Sequence, residues 1–181
     1  MTLIFLDTEF TNLTFQSELI SIALVDEAGN GFYGECDDFN KNTCSDFVYQ
    51  NVIPQLGNLP TIVDTLISVR GNYHQIARSV YEFIESYKDD SYKVTIVTDV
   101  AYYDWKFFFK LPCFKPNLPE YISPFPIDLN SMILARNGTT DISRNSLSSF
   151  PESIHGIKLH HAYYDAMLLK ECYFELMSTE S

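Results

Sequence analysis

Four acidic residues and a pair of histidines are the groups in this sequence best placed to do chemistry. Asp7 and Glu9 lie two apart at the end of the apolar run TLIFLD, residues 2–7. Residues two apart in a strand point to the same face, so both carboxylates aim off one side of the strand end. They repel each other unless a cation lies between them, and Mg2+ or Mn2+ is a hard ion that takes such oxygen ligands. The plainer alternative is a solvated strand end with two unrelated acids. Asp104 falls in TDVAYYDWKFF, residues 98–108, where a strand passes into a helix. An acid near a helix N-terminus is favoured by the macrodipole whether or not it binds metal. Asp99, just ahead of that helix, reads as its N-cap. In KLHHAYYD, residues 158–165, His160 and His161 precede a helix that carries Asp165. Histidine titrates near neutral pH and can serve as a general base, although polar histidines at a helix start need no such role.

Taken together, these segments say more than each does alone. Three of them place an acid at a strand end or a helix start, and in an open α/β sheet such ends gather beside one crevice. Four carboxylates and a histidine are costly to hold together without a cation. Such a cluster is also what two-metal phosphoryl chemistry uses.

The elements that must position these groups follow from periodicity. LISIALVD (19–26) reads as a second buried strand and FYGEC (32–36) as a third, joined by the turn residues 27–31 into an antiparallel hairpin. Residues 37–70 read as irregular, with Pro54, Gly57 and Pro60 as breakers and a short helix at Asp46–Asn51. Over 73–87, Ile76, Val80, Phe83, Ile84 and Tyr87 recur at helical spacing. KVTIVT (93–98) is the next strand, followed by a helix over 101–110 and a proline-rich connection to a short strand near Ile127. A helix at Leu129–Arg136, a helical turn at Ser146–Phe150 and a last helix from Ala162 to Leu176 complete the chain. The order predicts a single α/β domain over 1–181, a mixed sheet with an antiparallel hairpin edge and helices on both faces. The ribonuclease H-like fold has this order of elements.

Composition bounds the remaining possibilities. With 181 residues, 46% hydrophobic and 20% charged, the chain is an ordinary globular protein. Twelve Tyr and fourteen Phe could provide stacking surface for a flat ligand such as a nucleobase. The formal net charge of −12 runs against a phosphate-rich partner. Bound divalent ions would offset clustered carboxylates locally. Basic residues also concentrate in the second half, at Lys93, Lys106, Lys110, Lys115, Arg136, Arg144, Lys158 and Lys170. Cys36, Cys44, Cys113 and Cys172 include no CxxC pair, which argues against a zinc ribbon and for a reducing compartment. No signal peptide or membrane span is evident at the start, so a cytoplasmic location is expected. His74 and His155 read as surface residues.

The three motifs resemble those of the DEDDh exonucleases, the DnaQ-like group of the ribonuclease H-like superfamily. DTEFT (7–11) resembles the first motif, DxE. DVAYYDWKFF (99–108) resembles the second, with Asp99-Val100 where the family often has His-Asn. HHAYYD (160–165) resembles the third, HxAxxD, with His160, Ala162 and Asp165 in register. The DTEFT start and short length are similar to the small bacterial exoribonuclease branch. The resemblance implies that Asp7, Glu9, Asp104 and Asp165 bind two Mg2+ or Mn2+ ions and that His160 is the general base. The tyrosine variant of the family places its base four residues before the aspartate, which would be His161 here. It further implies a 3′–5′ exonuclease that releases 5′-mononucleotides from single-stranded nucleic acid, RNA before DNA, with Thr8, Phe10 and Thr11 near the substrate and a possible homodimer. A DNA exonuclease of the same mechanism and a silent nucleic-acid-binding module are the competing readings.

Overall fold

A computed structural model describes residues 1–58, 65–89 and 93–178. Six strands form one mixed sheet: β1 Thr2–Phe10, β2 Leu19–Asp26, β3 Gly31–Cys36, β4 Leu66–Gly71, β5 Val94–Thr98 and β6 Ile127–Asp128, in the order β4-β3-β2-β1-β5-β6. Strands β1, β2 and β3 pair antiparallel, while β4, β5 and β6 join parallel to their neighbours. The helices are α1 Asp46–Asn51, α2 Tyr73–Glu85, α3 Ala101–Lys110, α4 Leu129–Asn137, α5 Arg144–Leu147 and α6 Ala162–Ser178. A small hairpin, β7 Ser153–Ile154 and β8 Ile157–Lys158, precedes α6.

Alternation along the strands builds two cores. Ile4 and Leu6 of β1 with Ile22 and Leu24 of β2 face the stripe Ile76, Val80, Phe83 and Ile84 of α2 and Phe107 and Phe108 of α3. Leu3 and Phe5, with Ala23 and Val25, face Leu129 and Ile133 of α4 and the apolar side of α6. Both sides of β1 and β2 are therefore buried, as the unbroken apolar runs predict. An Asn72–Gln75 capping box fixes the start of α2.

Three differences from the sequence reading have physical causes. Residues 66–71, expected to be irregular, form β4 on the outer edge of the hairpin. LISVRG carries no buried stripe, Ile67 and Arg70 being exposed, and it pairs with β3 through its backbone. The helical turn expected at Ser146–Phe150 lies earlier, as α5. Asp99 does not cap α3: Val100 holds the N-cap position with no side-chain hydrogen bond. Pro60 lies outside the described residues. Among the described residues no helix is long and apolar enough to cross a membrane, and all four cysteines are free.

Strand length shapes the site. β5 pairs with β1 only from Thr2 to Leu6, where Leu6 faces Thr98. Beyond that register β1 continues to Phe10, so residues 7–10 have β2 on one side and a notch on the other.

Candidate active site

Asp7 and Glu9 project together from the overhanging end of β1. The N-terminal turns of α3 and α6 close the notch, bringing Asp104 and Asp165 to the same place. A cleft of about 260 Å³ results, lined by all four carboxylates together with Phe10, Asp99, Arg144 and His160 among others. Asp104 is buried, and its Oδ1 accepts from the Thr8 N–H at 3.1 Å and the Thr8 hydroxyl at 2.7 Å. The Thr8 amide, left without a partner strand where β5 stops, is satisfied this way. Asp165 Oδ2 accepts from the His160 N–H at 2.8 Å, while Oδ1 is buried with no hydrogen-bond partner among the described residues. Ligand atoms of Glu9, His160 and Asp165 all lie within 4.8 Å of one another.

The electrostatics of this arrangement favour a bound cation. Burial, and then the charges of Asp104 and Asp165, push Asp7 well above the usual carboxylate range. Glu9 is raised by burial and by Asp165 and Asp104. Burial lifts Asp104 to about 7 against the lowering effect of its two Thr8 hydrogen bonds. Asp165 rises to about 8, again chiefly through burial, against the His160 amide. Acids so raised are short of positive charge. The unpartnered Asp165 oxygen, the mutual repulsion and a donor set of carboxylates and imidazole all fit Mg2+ or Mn2+.

The two histidines separate cleanly. His160 lines the cleft with a backbone φ of +70°, and burial lowers its pKa. His161 is 2% exposed, stacks on Tyr33 with ring centroids 4.4 Å apart, and sets Nε2 3.2 Å from the Asn58 carbonyl. Burial drops it to about 4, so it is a neutral core residue. Phe10 is half-buried: it lines the cleft and stacks on Phe107 at 4.9 Å and Tyr103 at 5.7 Å. The expected substrate contacts at the two threonines take other roles. Thr8 is spent on Asp104, and Thr11 is fully buried, its hydroxyl accepting from the Glu18 N–H at 3.1 Å. His74 and His155 are exposed.

One pairing in the cleft had no sequence signal. Arg144 donates through Nε to Asp99 Oδ1 at 2.7 Å, and through Nη2 to Asn130 Oδ1 at 2.9 Å. It brings a guanidinium to the rim of an acidic cleft, and this pairing is where the Asp99 carboxylate goes instead of capping α3. Their separation of 45 positions leaves no local pattern to read.

No family model matches the chain, and no curated protein does. Solved structures do match. The nuclease domain of 3′hExo, a DEDDh family member bound to rAMP, superposes with a TM-score of 0.66 at 16% identity, over 99% of this chain and 92% of that one. The fold is ribonuclease H-like. Cell-death related nuclease 4 (CRN-4) gives a TM-score of 0.67 at 16% identity over 99% of this chain, which spans 64% of its length. Pop2p of S. pombe, in a Mg2+- and Mn2+-bound form, gives 0.64 at 16% identity over 98% of this chain and 83% of that one. At these identities the likeness is one of fold.

Proposed function

We propose that this chain is a metal-dependent 3′–5′ exonuclease that removes 5′-mononucleotides from the 3′ end of single-stranded RNA. The observation that carries the reading is that Asp7, Glu9, Asp104 and Asp165 line one cleft, where ligand atoms of Glu9, Asp165 and His160 lie within 4.8 Å of one another. The four carboxylates would hold two Mg2+ or Mn2+ ions. Bound there, the ions supply positive charge to the phosphodiester oxygens and the leaving 3′ oxygen. His160, kept neutral near pH 7 by its lowered pKa, takes the proton of the attacking water. Thr8 fixes the Asp104 carboxylate, and the half-exposed Phe10 ring offers a stacking surface for the terminal base. The preference for RNA draws on the similar fold bound to rAMP, and the choice of metal on the one bound to Mg2+ and Mn2+.

The test is incubation with 5′-labelled single-stranded RNA and DNA, with Mn2+ or with chelator. The expected result is a ladder that shortens from the 3′ end, faster on RNA and abolished by chelator. A faster ladder on DNA would transfer the same mechanism to the other sugar. Intact RNA and DNA in the presence of Mn2+ would refute the enzyme reading in favour of a binding module.

A further inference from the structure

His160 is a non-glycine residue in the left-handed region, with φ +70°. Such a conformation persists only where its surroundings hold it. Two local hydrogen bonds contribute, His160 N–H to Asp165 Oδ2 at 2.8 Å and His161 N–H to the Lys158 carbonyl at 3.1 Å, and the rest comes from the segment 45–58, which lies between β3 and β4 in sequence. Gln55 of this segment is 6% exposed. Its Nε2 donates to the Leu159 carbonyl at 2.7 Å and to the Asn51 carbonyl at 3.1 Å, and its Oε1 accepts from the Lys158 N–H at 3.2 Å. One primary amide thus binds both a donor and an acceptor of the backbone immediately before His160. Two further contacts come from the same segment. The Phe47 ring meets the His160 imidazole edge-on with centroids 4.8 Å apart, and the Asn58 carbonyl faces His161 Nε2.

The segment is itself tied to the sheet. The Ser45 N–H donates to the Thr11 carbonyl at 2.9 Å, and the Gly57 N–H to Glu35 Oε1 at 2.6 Å. Val48 and Val52 pack with Ile20 of β2 in a small core of their own. A buried amide is costly unless both its ends are satisfied. Gln55 meets that requirement by gripping residues 158 and 159, where an apolar residue would fill the space without fixing the backbone.

We propose that Gln55 is a positioning residue for catalysis: its side-chain amide holds the Lys158–Leu159 backbone so that the His160 imidazole faces the carboxylate cleft. This rests on the reading of His160 as general base. Gln55 itself touches no substrate and acts through His160 alone. Small misplacements of a reacting group lower rate far more than binding.

The experiment measures kcat, KM and unfolding temperature on a single-stranded oligonucleotide with Mn2+. It compares the wild type, Gln55→Ala and Gln55→Glu, each alone and combined with His160→Ala. Gln55→Glu keeps an acceptor for the Lys158 N–H and loses the donor to Leu159, so it tests the same grip in a side chain of the same size. Each Gln55 substitution is expected to lower kcat about tenfold with KM unchanged, and to lower it no further once His160 is alanine. That non-additivity separates positioning from a general weakening of the fold. An equal loss in both backgrounds, an unchanged kcat, or unfolding of both variants overturns the proposal. If His160→Ala lowers the rate and the Gln55 variants do not, only the Gln55 assignment falls. If His160→Ala keeps the wild-type rate, the base assignment falls and takes Gln55 with it.

Discussion

Removing metal should destabilise this protein in a pH-dependent way, and the carboxylate cluster gives both the sign and the scale. Asp165 rises from an ordinary 3.8 to about 8, and Asp104 from 3.8 to about 7. For a group whose folded pKa is raised, the stabilisation is complete below the unfolded value and is lost as pH climbs through the folded one. The metal-free protein should therefore lose stability between about pH 4 and pH 8. At 1.36 kcal/mol per pH unit, ionising Asp165 alone costs up to about 6 kcal/mol. The two aspartates share neighbours, so their costs do not add, and about 6 kcal/mol serves as the order of magnitude for the pair. For a chain of this length that corresponds to roughly 12–24 °C in unfolding temperature. Metal acts in the opposite direction. At a hundred times its Kd, Mn2+ contributes about 2.7 kcal/mol, and its affinity rises with pH because the ligands must be deprotonated. Scanning calorimetry at pH 5 and pH 8, with chelator and with Mn2+, measures both effects. Asp165→Asn, a neutral isostere, should raise the metal-free unfolding temperature at pH 8 and abolish the Mn2+ increment. A variant no more stable than wild type at pH 8 without metal would refute the reasoning, as would a wild-type Mn2+ increment no larger at pH 8 than at pH 5.

The two histidines should respond oppositely to alanine. His160→Ala should lower kcat roughly 10²–10⁴-fold with little change in unfolding temperature, whereas His161→Ala should cost about 2–4 kcal/mol of stability by opening a cavity against Tyr33. Steady-state kinetics beside calorimetry reads both, and the reverse pattern would move the base to His161. Thr8→Val keeps the shape of the side chain but deletes the 2.7 Å hydroxyl bond to Asp104. The Asp104 pKa should then climb further and Mn2+ affinity at pH 7 should fall several-fold; an unchanged titration midpoint would show that Thr8 does not hold the ligand.

Much of this was legible in the sequence, and what was not has a common cause. Buried runs such as LISIALVD and the helical stripe of α2 announce themselves because one side chain after another meets the core. β4 does not, because on an edge strand only Leu66 and Val69 pack partly against the cores, and two residues three apart make no alternation to read. The same division runs through the site. Strand periodicity put Asp7 and Glu9 on one side of β1, whereas Asp104 and Asp165 read alone as helix-start acids and joined the candidate site only when the three segments were taken together. The service of Thr8 to Asp104, across 96 residues, was not readable, nor was the pairing of Arg144 with Asp99. Adjacent histidines show the limit most sharply. Periodicity leaves His160 and His161 equivalent, and only Tyr33 and Asn58, brought in by the tertiary fold, send one inward and leave the other at the cleft.

The net charge of −12 weighs less against a nucleic-acid substrate once the charges are placed. Asp7, Glu9, Asp99, Asp104 and Asp165 together contribute a large share of the excess, and they stand around one cleft. Arg144 pairs with Asp99, and Asp104 and Asp165, raised to about 7 and about 8, do not carry full charge at neutral pH without metal. With two divalent ions bound, the same four carboxylates would form a centre of no net charge, which would no longer repel a phosphodiester. Several of the cations lie on elements that border the cleft. Lys158 immediately precedes Leu159 and His160, and Lys106 sits 4.7 Å over the Phe107 ring that stacks on Phe10. Lys93, by contrast, is at the far end of β5. Formal charge summed over a chain counts the metal ligands as though they faced the substrate bare; in a metallonuclease they would be the groups whose charge is already spent.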